Sequence, residues 1–185
     1  MAEKVGYMTC IVGIETKDGV IMGGDSGSSN GYDYTATRLK KVFRRGLFLI
    51  GYTSSFRMGQ ILQYRLEVKK KPKDQDDLEY LATIFIDAVR KCLKDGGYKK
   101  TENEVEEGGT FLVGYNGKLY YVGSDFQVNS TRNGFDSVGC GKDFAKGALF
   151  ASVGLPPKKR VKQALKAAGH FSTGVCGPYH IIEMK

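Results

Sequence analysis

The segment from Thr110 to Gly123 leaves this chain little freedom. Thr110 to Tyr115 and Lys118 to Gly123 each read as a strand, and Asn116-Gly117 between them is the strongest short hairpin signal a sequence carries. Strands so joined must pair antiparallel. The pattern recurs. Residues 9 to 16 (Thr-Cys-Ile-Val-Gly-Ile-Glu-Thr) read as a strand, Lys17-Asp18-Gly19 as a tight turn, and residues 20 to 25 (Val-Ile-Met-Gly-Gly-Asp) as the returning strand. Val42-Phe43-Arg44, Arg45-Gly46 and Leu47 to Tyr52 give a third hairpin. Phe135 to Gly139 and Tyr179 to Met184 read as further strands.

Helical spacing fills the intervals. Phe56 to Val68 carries Met58, Ile61, Leu62 and Leu66 on one face, and Leu78 to Leu93 carries Leu78, Leu81, Ala82, Phe85, Ala88, Val89 and Cys92. Asp76 with Glu79 resembles a capping box, and Gly96-Gly97 is a natural stop. Asp143 to Val153 and Pro157 to Ala168 form a second pair, the latter opened by proline in its first turn. The order is strands, two helices, strands, two helices, strand. Hairpin-linked strands require antiparallel sheets, and paired helices suit the outer faces. The expected class is therefore α+β: a four-layer αββα sandwich of two antiparallel sheets flanked by helix pairs. The acidic stretch from Glu102 to Glu107 reads as a solvated loop.

Composition excludes several functions. No apolar run is long enough to cross a bilayer, and Met1 to Met8 lacks the apolar core of a secretory signal, so a cytoplasmic location and no membrane partner are expected. Four scattered cysteines and two histidines make a zinc site unexpected; reduced, buried thiols are the simpler reading. The net charge of +8 gathers in Lys69 to Lys73 and Lys158-Lys159-Arg160, which flank helices. Without an accompanying recognition motif, these runs read as solvated helix ends, and no nucleic-acid partner is expected.

Three residues stand in a spacing that matters. Thr9 lies 16 residues before Asp25 with the Asp-Gly turn midway, so cross-strand pairing brings the two together, and Lys41 lies 16 residues further on, where the next strand begins. Taken singly, Asp25 is a turn aspartate and Lys41 a surface lysine. Taken together with Thr9, they can meet at one end of a sheet as a nucleophile, a carboxylate and an ammonium.

At these residues the chain resembles a known family. Thr-Cys-Ile-Val-Gly from Thr9, Gly-Gly-Asp-Ser at 23–26, Lys-Lys-Val at 40–42 and Gly51 look like the opening of a proteasome β-type subunit, and equally of HslV, the peptidase subunit of a bacterial two-component protease. The likeness resumes at Gly108-Gly109-Thr110, at Gly139-Cys140-Gly141 with Phe144-Ala145 and Gly147-Ala148-Leu149, and at Ala164-Leu165, Ala167-Ala168 and Tyr179-His180-Ile181. It covers nearly the whole chain, and its specificity lies in the joint order of motifs.

The resemblance implies the N-terminal-nucleophile hydrolase fold and a threonine-type endopeptidase acting on polypeptides. Thr9 would be the nucleophile and its freed α-amine the base. Lys41 would favour the neutral amine and ease loss of the hydroxyl proton, held in turn by Asp25. The oxyanion donor falls at Ser55, where the family usually has glycine; Ser54 or Ser55 also reads as a helix N-cap, and the two roles are compatible. Cys140 stands for a supporting serine of the family, and Ser172 matches a second. The aspartate that precedes the latter falls on Gly169, so support around Thr9 is thinner than in proteasome subunits. The bacterial branch also suggests a monovalent cation, such as sodium, held by the carbonyls of Gly169, Ser172 and Val175. No other cofactor is implied. Homo-oligomeric stacked rings and an ATPase unfoldase partner follow from the same resemblance.

Residues 1–8 are expected to be a leader or an upstream start, with the peptidase domain at 9–185. While they remain attached, Thr9 has no free amine. Cys10 is a rival nucleophile but needs cleavage after Thr9. The competing functions are a catalytically weak or inactive structural subunit and a small-molecule amidase on the same fold.

Overall fold

A computed structural model describes residues 8–29, 33–98, 100–102 and 105–185. Thirteen strands lie among them: β1 Cys10–Thr16, β2 Gly19–Gly24, β3 Gly27–Ser29, β4 Tyr34–Ala36, β5 Val42–Arg45, β6 Phe48–Tyr52, β7 Lys100–Glu102, β8 Val105–Glu107, β9 Phe111–Tyr115, β10 Lys118–Val122, β11 Val128–Ser130, β12 Phe135–Gly139 and β13 His180–Met184. The helices are α1 (Phe56–Arg65), α2 (the consecutive segments Asp77–Tyr80, Leu81–Phe85 and Ile86–Asp95), α3 (Lys142–Ala151) and α4 (Pro157–Phe171). One antiparallel sheet runs β12-β1-β2-β13 and the other β11-β10-β9-β6-β5.

The buried residues fall into three clusters, one between each pair of neighbouring layers. Because side chains alternate across a strand, each sheet feeds two of them. Cys10, Val12 and Ile14 of β1 meet Ala145 and Leu149 of α3 and Val161, Ala164, Leu165 and Ala168 of α4. Ile11 points the other way and joins Met22, Leu49, Leu112 and Leu119 between the sheets. Phe48, Ile50 and Tyr52 of β6 with Phe111, Val113 and Tyr115 of β9 face α1 and α2. Three interlayer cores require four layers, and the αββα sandwich is what the chain forms.

Several boundaries move. Strand β1 begins at Cys10, which leaves Thr9 just outside it. The β1–β2 turn holds two residues, Lys17 and Asp18, since Thr16 pairs with Gly19. The register therefore sets Ile11 opposite Gly24, and Asp25 bonds its neighbour Cys10 rather than Thr9: the Asp25 N–H donates to the Cys10 carbonyl at 3.2 Å. Helix α1 ends at Arg65 because Leu66 turns to an extended conformation and buries itself in the core. Asp76 caps α2 by accepting the Glu79 N–H at 2.8 Å, and a π-helical turn at Leu81–Phe85 interrupts its α-helical run. The acidic stretch read as a loop instead supplies β8 and, at Glu102, the last residue of its partner β7; positions 103 and 104 lie outside the described residues. Strands β3, β4 and β11 are three residues each, too short for alternation to reveal them.

Candidate active site

The end of the β1–β2 hairpin carries the chemistry. Lys41 precedes β5 and reaches back across the gap between the sheets. Its Nζ donates to both carboxylate oxygens of Asp25 at 3.0 Å, to the Gly27 carbonyl at 2.6 Å and to Thr9 Oγ1 at 3.2 Å. Asp25 in turn accepts the N–H of Cys10 at 3.0 Å and of Gly27 at 2.7 Å. Asp25 and Lys41 are each only 1% exposed. Such a pair persists in the interior because nearly every lone pair and proton it carries has a partner. Burial lowers the Lys41 pKa from its ordinary 10.5, and the Asp25 charge opposes that shift. The Phe56 ring stands 5.5 Å from Nζ, a contact no local pattern discloses.

Met8 is still peptide-bonded to Thr9 here. The Thr9 hydroxyl donates to the Met8 carbonyl, which also accepts from Lys41 Nζ at 3.2 Å. Residues 1–7 of the expected leader lie outside the described residues. Cys10 is fully buried and burial pushes its thiol up to about 12, so it is no thiolate at neutral pH.

The opposite side of Thr9 is built from β12 and the loop that follows. Gly139 pairs with Cys10, and a Cβ at Gly139 would fall 2.1 Å from the Thr9 carbonyl oxygen; its φ is +99°. Only glycine lets β12 pass so close to Thr9. Cys140 is exposed, and its thiol lies 3.5 Å from the Thr9 carbonyl, as a weak donor. The Ser172 hydroxyl donates to that sulfur at 3.4 Å. Ser55 caps α1: its hydroxyl accepts from the N–H groups of Arg57 and Met58. Its own N–H donates to the Thr53 carbonyl at 2.8 Å. A cleft of about 870 Å³ opens beside these residues, walled by Thr53, Ser54, Thr110, Gly139 and Cys140 among others.

No protein-family model and no curated protein sequence matches the chain. Solved structures do match in shape. BPH from Thiobacillus denitrificans superposes with a TM-score of 0.80 at 17% identity, over 95% of this chain and 97% of that one. HslV from Trypanosoma brucei gives 0.66 at 16% identity, over 95% and 99%. The Gly-1 mutant of Anbu from Hyphomicrobium gives 0.67 at 14% identity, over 96% and 81%. The fold is that of the proteasome-type N-terminal-nucleophile hydrolases.

Within this fold the structure accounts for one departure from the family pattern. A Cβ at Gly169 would lie 2.2 Å from the Tyr179 hydroxyl. The tyrosine occupies the space that a side chain at 169 would need, so aspartate there is incompatible with Tyr179 as it stands. Gly169, Ser172 and Val175 gather where α4 ends. Ser172 closes the helix by donating its N–H to the Ala168 carbonyl at 2.9 Å, and its own carbonyl accepts the Val175 N–H at 3.1 Å. Among the described residues no group of three His, Cys, Asp or Glu side chains could hold a metal ion, and no helix is long and apolar enough to cross a membrane.

Proposed function

We propose that the chain is a threonine-type endopeptidase subunit that acts once the residues before Thr9 are removed. The observation that carries this reading is the position of Lys41 Nζ, 3.2 Å from Thr9 Oγ1 while clamped on Asp25. An ammonium held there lowers the cost of an alkoxide on Thr9 and keeps a neighbouring amine neutral. In the reaction, Thr9 Oγ1 attacks the substrate carbonyl and its proton passes to the free Thr9 amine. The amine then gives that proton to the departing nitrogen, leaving an ester on Thr9. Water hydrolyses the ester by the same relay in reverse. Cys140 and Ser172 would steady the Thr9 backbone, and the Ser55 N–H would receive the oxyanion. A bound sodium ion on the carbonyls of Gly169, Ser172 and Val175 would be structural, bracing the end of α4.

The decisive experiment joins mass and chemistry. Intact mass shows whether the purified chain begins at Met1 or Thr9. On material that begins at residue 9, Thr9→Ala should abolish peptide hydrolysis and labelling by an electrophilic peptide while the fold is retained. Wild-type turnover in that variant would refute the nucleophile assignment. A second reading, a weak or inactive structural subunit, draws support from the bonded Ser55 N–H and the exposed thiol at 140.

The subunit would work in stacked homo-oligomeric rings with polypeptide substrates, fed by an ATPase unfoldase. On the helix pair α1 and α2, Met58 is fully buried in the subunit's own core, and Tyr64 and Leu78 remain exposed. On α3 and α4 larger apolar groups are left out: Phe150 is 75% exposed, and Phe144 and Phe171 stack on each other at 5.3 Å. These suit subunit contacts. A monodisperse monomer in light scattering, with Thr9 exposed, would rule the chamber out.

A further inference from the structure

The turn Thr53-Ser54-Ser55 contains a hydrogen-bond exchange. Strands β6 and β9 pair with Tyr52 opposite Phe111, so Thr53 and Thr110 are the next opposed residues. A hydrogen-bonded antiparallel pair exchanges two backbone bonds. One of them forms, from the Thr53 N–H to the Thr110 carbonyl at 3.1 Å. The other is replaced. The Thr110 N–H donates instead to the Ser54 hydroxyl at 3.0 Å. The Thr53 carbonyl, so released, accepts the Ser55 N–H at 2.8 Å. That bond spans two residues and closes a γ-turn on Ser54, whose φ is +72°. A γ-turn of this hand is rare and strained for a residue with a side chain. The Thr53 hydroxyl on the same turn is buried and finds no hydrogen-bond partner among the described residues.

We propose that Ser54 is a positioning residue whose hydroxyl latches this turn closed and withholds the Ser55 N–H from the cleft. The proposal rests on the reading of Thr9 as nucleophile and Ser55 as oxyanion donor. Two hydrogen bonds hold the closed turn. In the open turn, the Thr110 N–H returns to the Thr53 carbonyl and the ladder gains its missing bond. The Ser55 N–H is then free, with a partner only when a substrate's tetrahedral oxygen arrives. Without substrate the open form is one bond short; with it the count is restored and the strain at Ser54 is relieved. The donor is therefore presented when there is an oxyanion to receive it, and each turnover begins with the cost of releasing the latch. Ser54 lines the cleft itself, so its freed hydroxyl finds water there.

Ser54→Ala removes the latch and leaves the residue averse to positive φ, so both changes favour the open turn. Amide hydrogen exchange at Ser55, followed by NMR in the substrate-free protein, should speed up about tenfold. A tetrahedral peptide boronate should bind about fivefold tighter and kcat should rise with KM unchanged. Ser54→Asn keeps a side-chain acceptor and tolerates positive φ, so it should behave as wild type. Unchanged Ser55 exchange in a folded Ser54→Ala protein would overturn the proposal, as would faster exchange with no gain in boronate affinity in an active enzyme. Absence of both hydrolysis and Thr9 labelling in every variant would count against the hydrolase reading instead, and the exchange measurement would then decide the latch alone.

Discussion

Thr9 stands between two very different surroundings. On one side, Asp25 and Lys41 are 1% exposed and Nζ has five acceptors within 3.2 Å. On the other, an exposed thiol reaches the Thr9 carbonyl at 3.5 Å and is itself held by a half-buried serine at 3.4 Å. The first side is charged, dry and crowded with hydrogen-bond partners; the second is neutral, wetter and joined by weak sulfur bonds. A charge pair enclosed this far needs every such partner, because an ion pair taken from water is costly unless its remaining hydrogen bonds are made. The charged side of the site is therefore fixed by the fold, while the neutral side is open to adjustment. Changes on the first side should be severe and on the second mild.

Lys41→Ala should have the largest effect after Thr9→Ala. Turnover should fall at least about a hundredfold, roughly 3 kcal/mol of barrier. Stability should fall too, by about 3 kcal/mol, because Asp25 is left as a buried charge with only backbone partners. Lys41→Arg should rescue poorly, since the larger planar guanidinium does not fit a buried site shaped around a compact ammonium. Near-normal kcat in Lys41→Ala, matching a Lys40→Ala control, would make the two sides equivalent and break the comparison.

Gly139→Ala tests the neutral side by geometry alone. An added Cβ must displace the Thr9 carbonyl, and the backbone angle costs about 2 kcal/mol for alanine. Turnover should drop roughly tenfold or more through misplacement of Thr9. Full activity with unshifted thermal unfolding would mean that Thr9 is not held by β12 at all.

A titration sharpens the comparison further. Burial lowers the Lys41 pKa below 10.5 and Asp25 raises it again, so Asp25→Asn should lower it more. The sign for stability follows. Between the lowered folded value and 10.5 the unfolded chain holds a proton that the folded chain has shed, so stability rises with pH across that window. The window should widen downward in Asp25→Asn. NMR of the Lys41 side chain reads the midpoint directly, and an unmoved or raised midpoint would show that Asp25 does not govern the ammonium.

The two sides also differed in how far the sequence disclosed them. Thr9 and Asp25 flank one hairpin and Lys41 directly precedes β5, so equal spacing about the Asp-Gly turn and on to Lys41 was enough to bring them together. The error was a single residue. The turn holds two residues, which sets Cys10, not Thr9, against Asp25, and the aspartate reaches the site through the Cys10 N–H. The four-layer fold was equally accessible, because long apolar strands and paired amphipathic helices carry their own periodicity. Phe56 over Lys41 and Gly139 against Thr9 depend on segments distant in sequence that meet only in the folded chain. Nor could spacing reveal that Tyr179 takes the room beside Gly169, or that Ser54 adopts positive φ.

The mildest expected change lies at Cys140, and it tests whether the weak side limits the proposed turnover. The thiol lies 3.5 Å from the Thr9 carbonyl and receives the Ser172 hydroxyl. A serine hydroxyl is a stronger donor and acceptor with shorter bonds, so Cys140→Ser should draw Thr9 and Ser172 closer without touching the charged side. The gain should be about threefold in kcat, under 1 kcal/mol, with KM and thermal stability unchanged. Cys140→Ala should go the other way by a similar factor, since the carbonyl loses its side-chain donor while the Gly141 N–H remains 3.5 Å away. If serine and alanine give the same rate, no bond from position 140 reaches Thr9 during turnover. The contrast between the two sides would then be one of presence against absence rather than of strength.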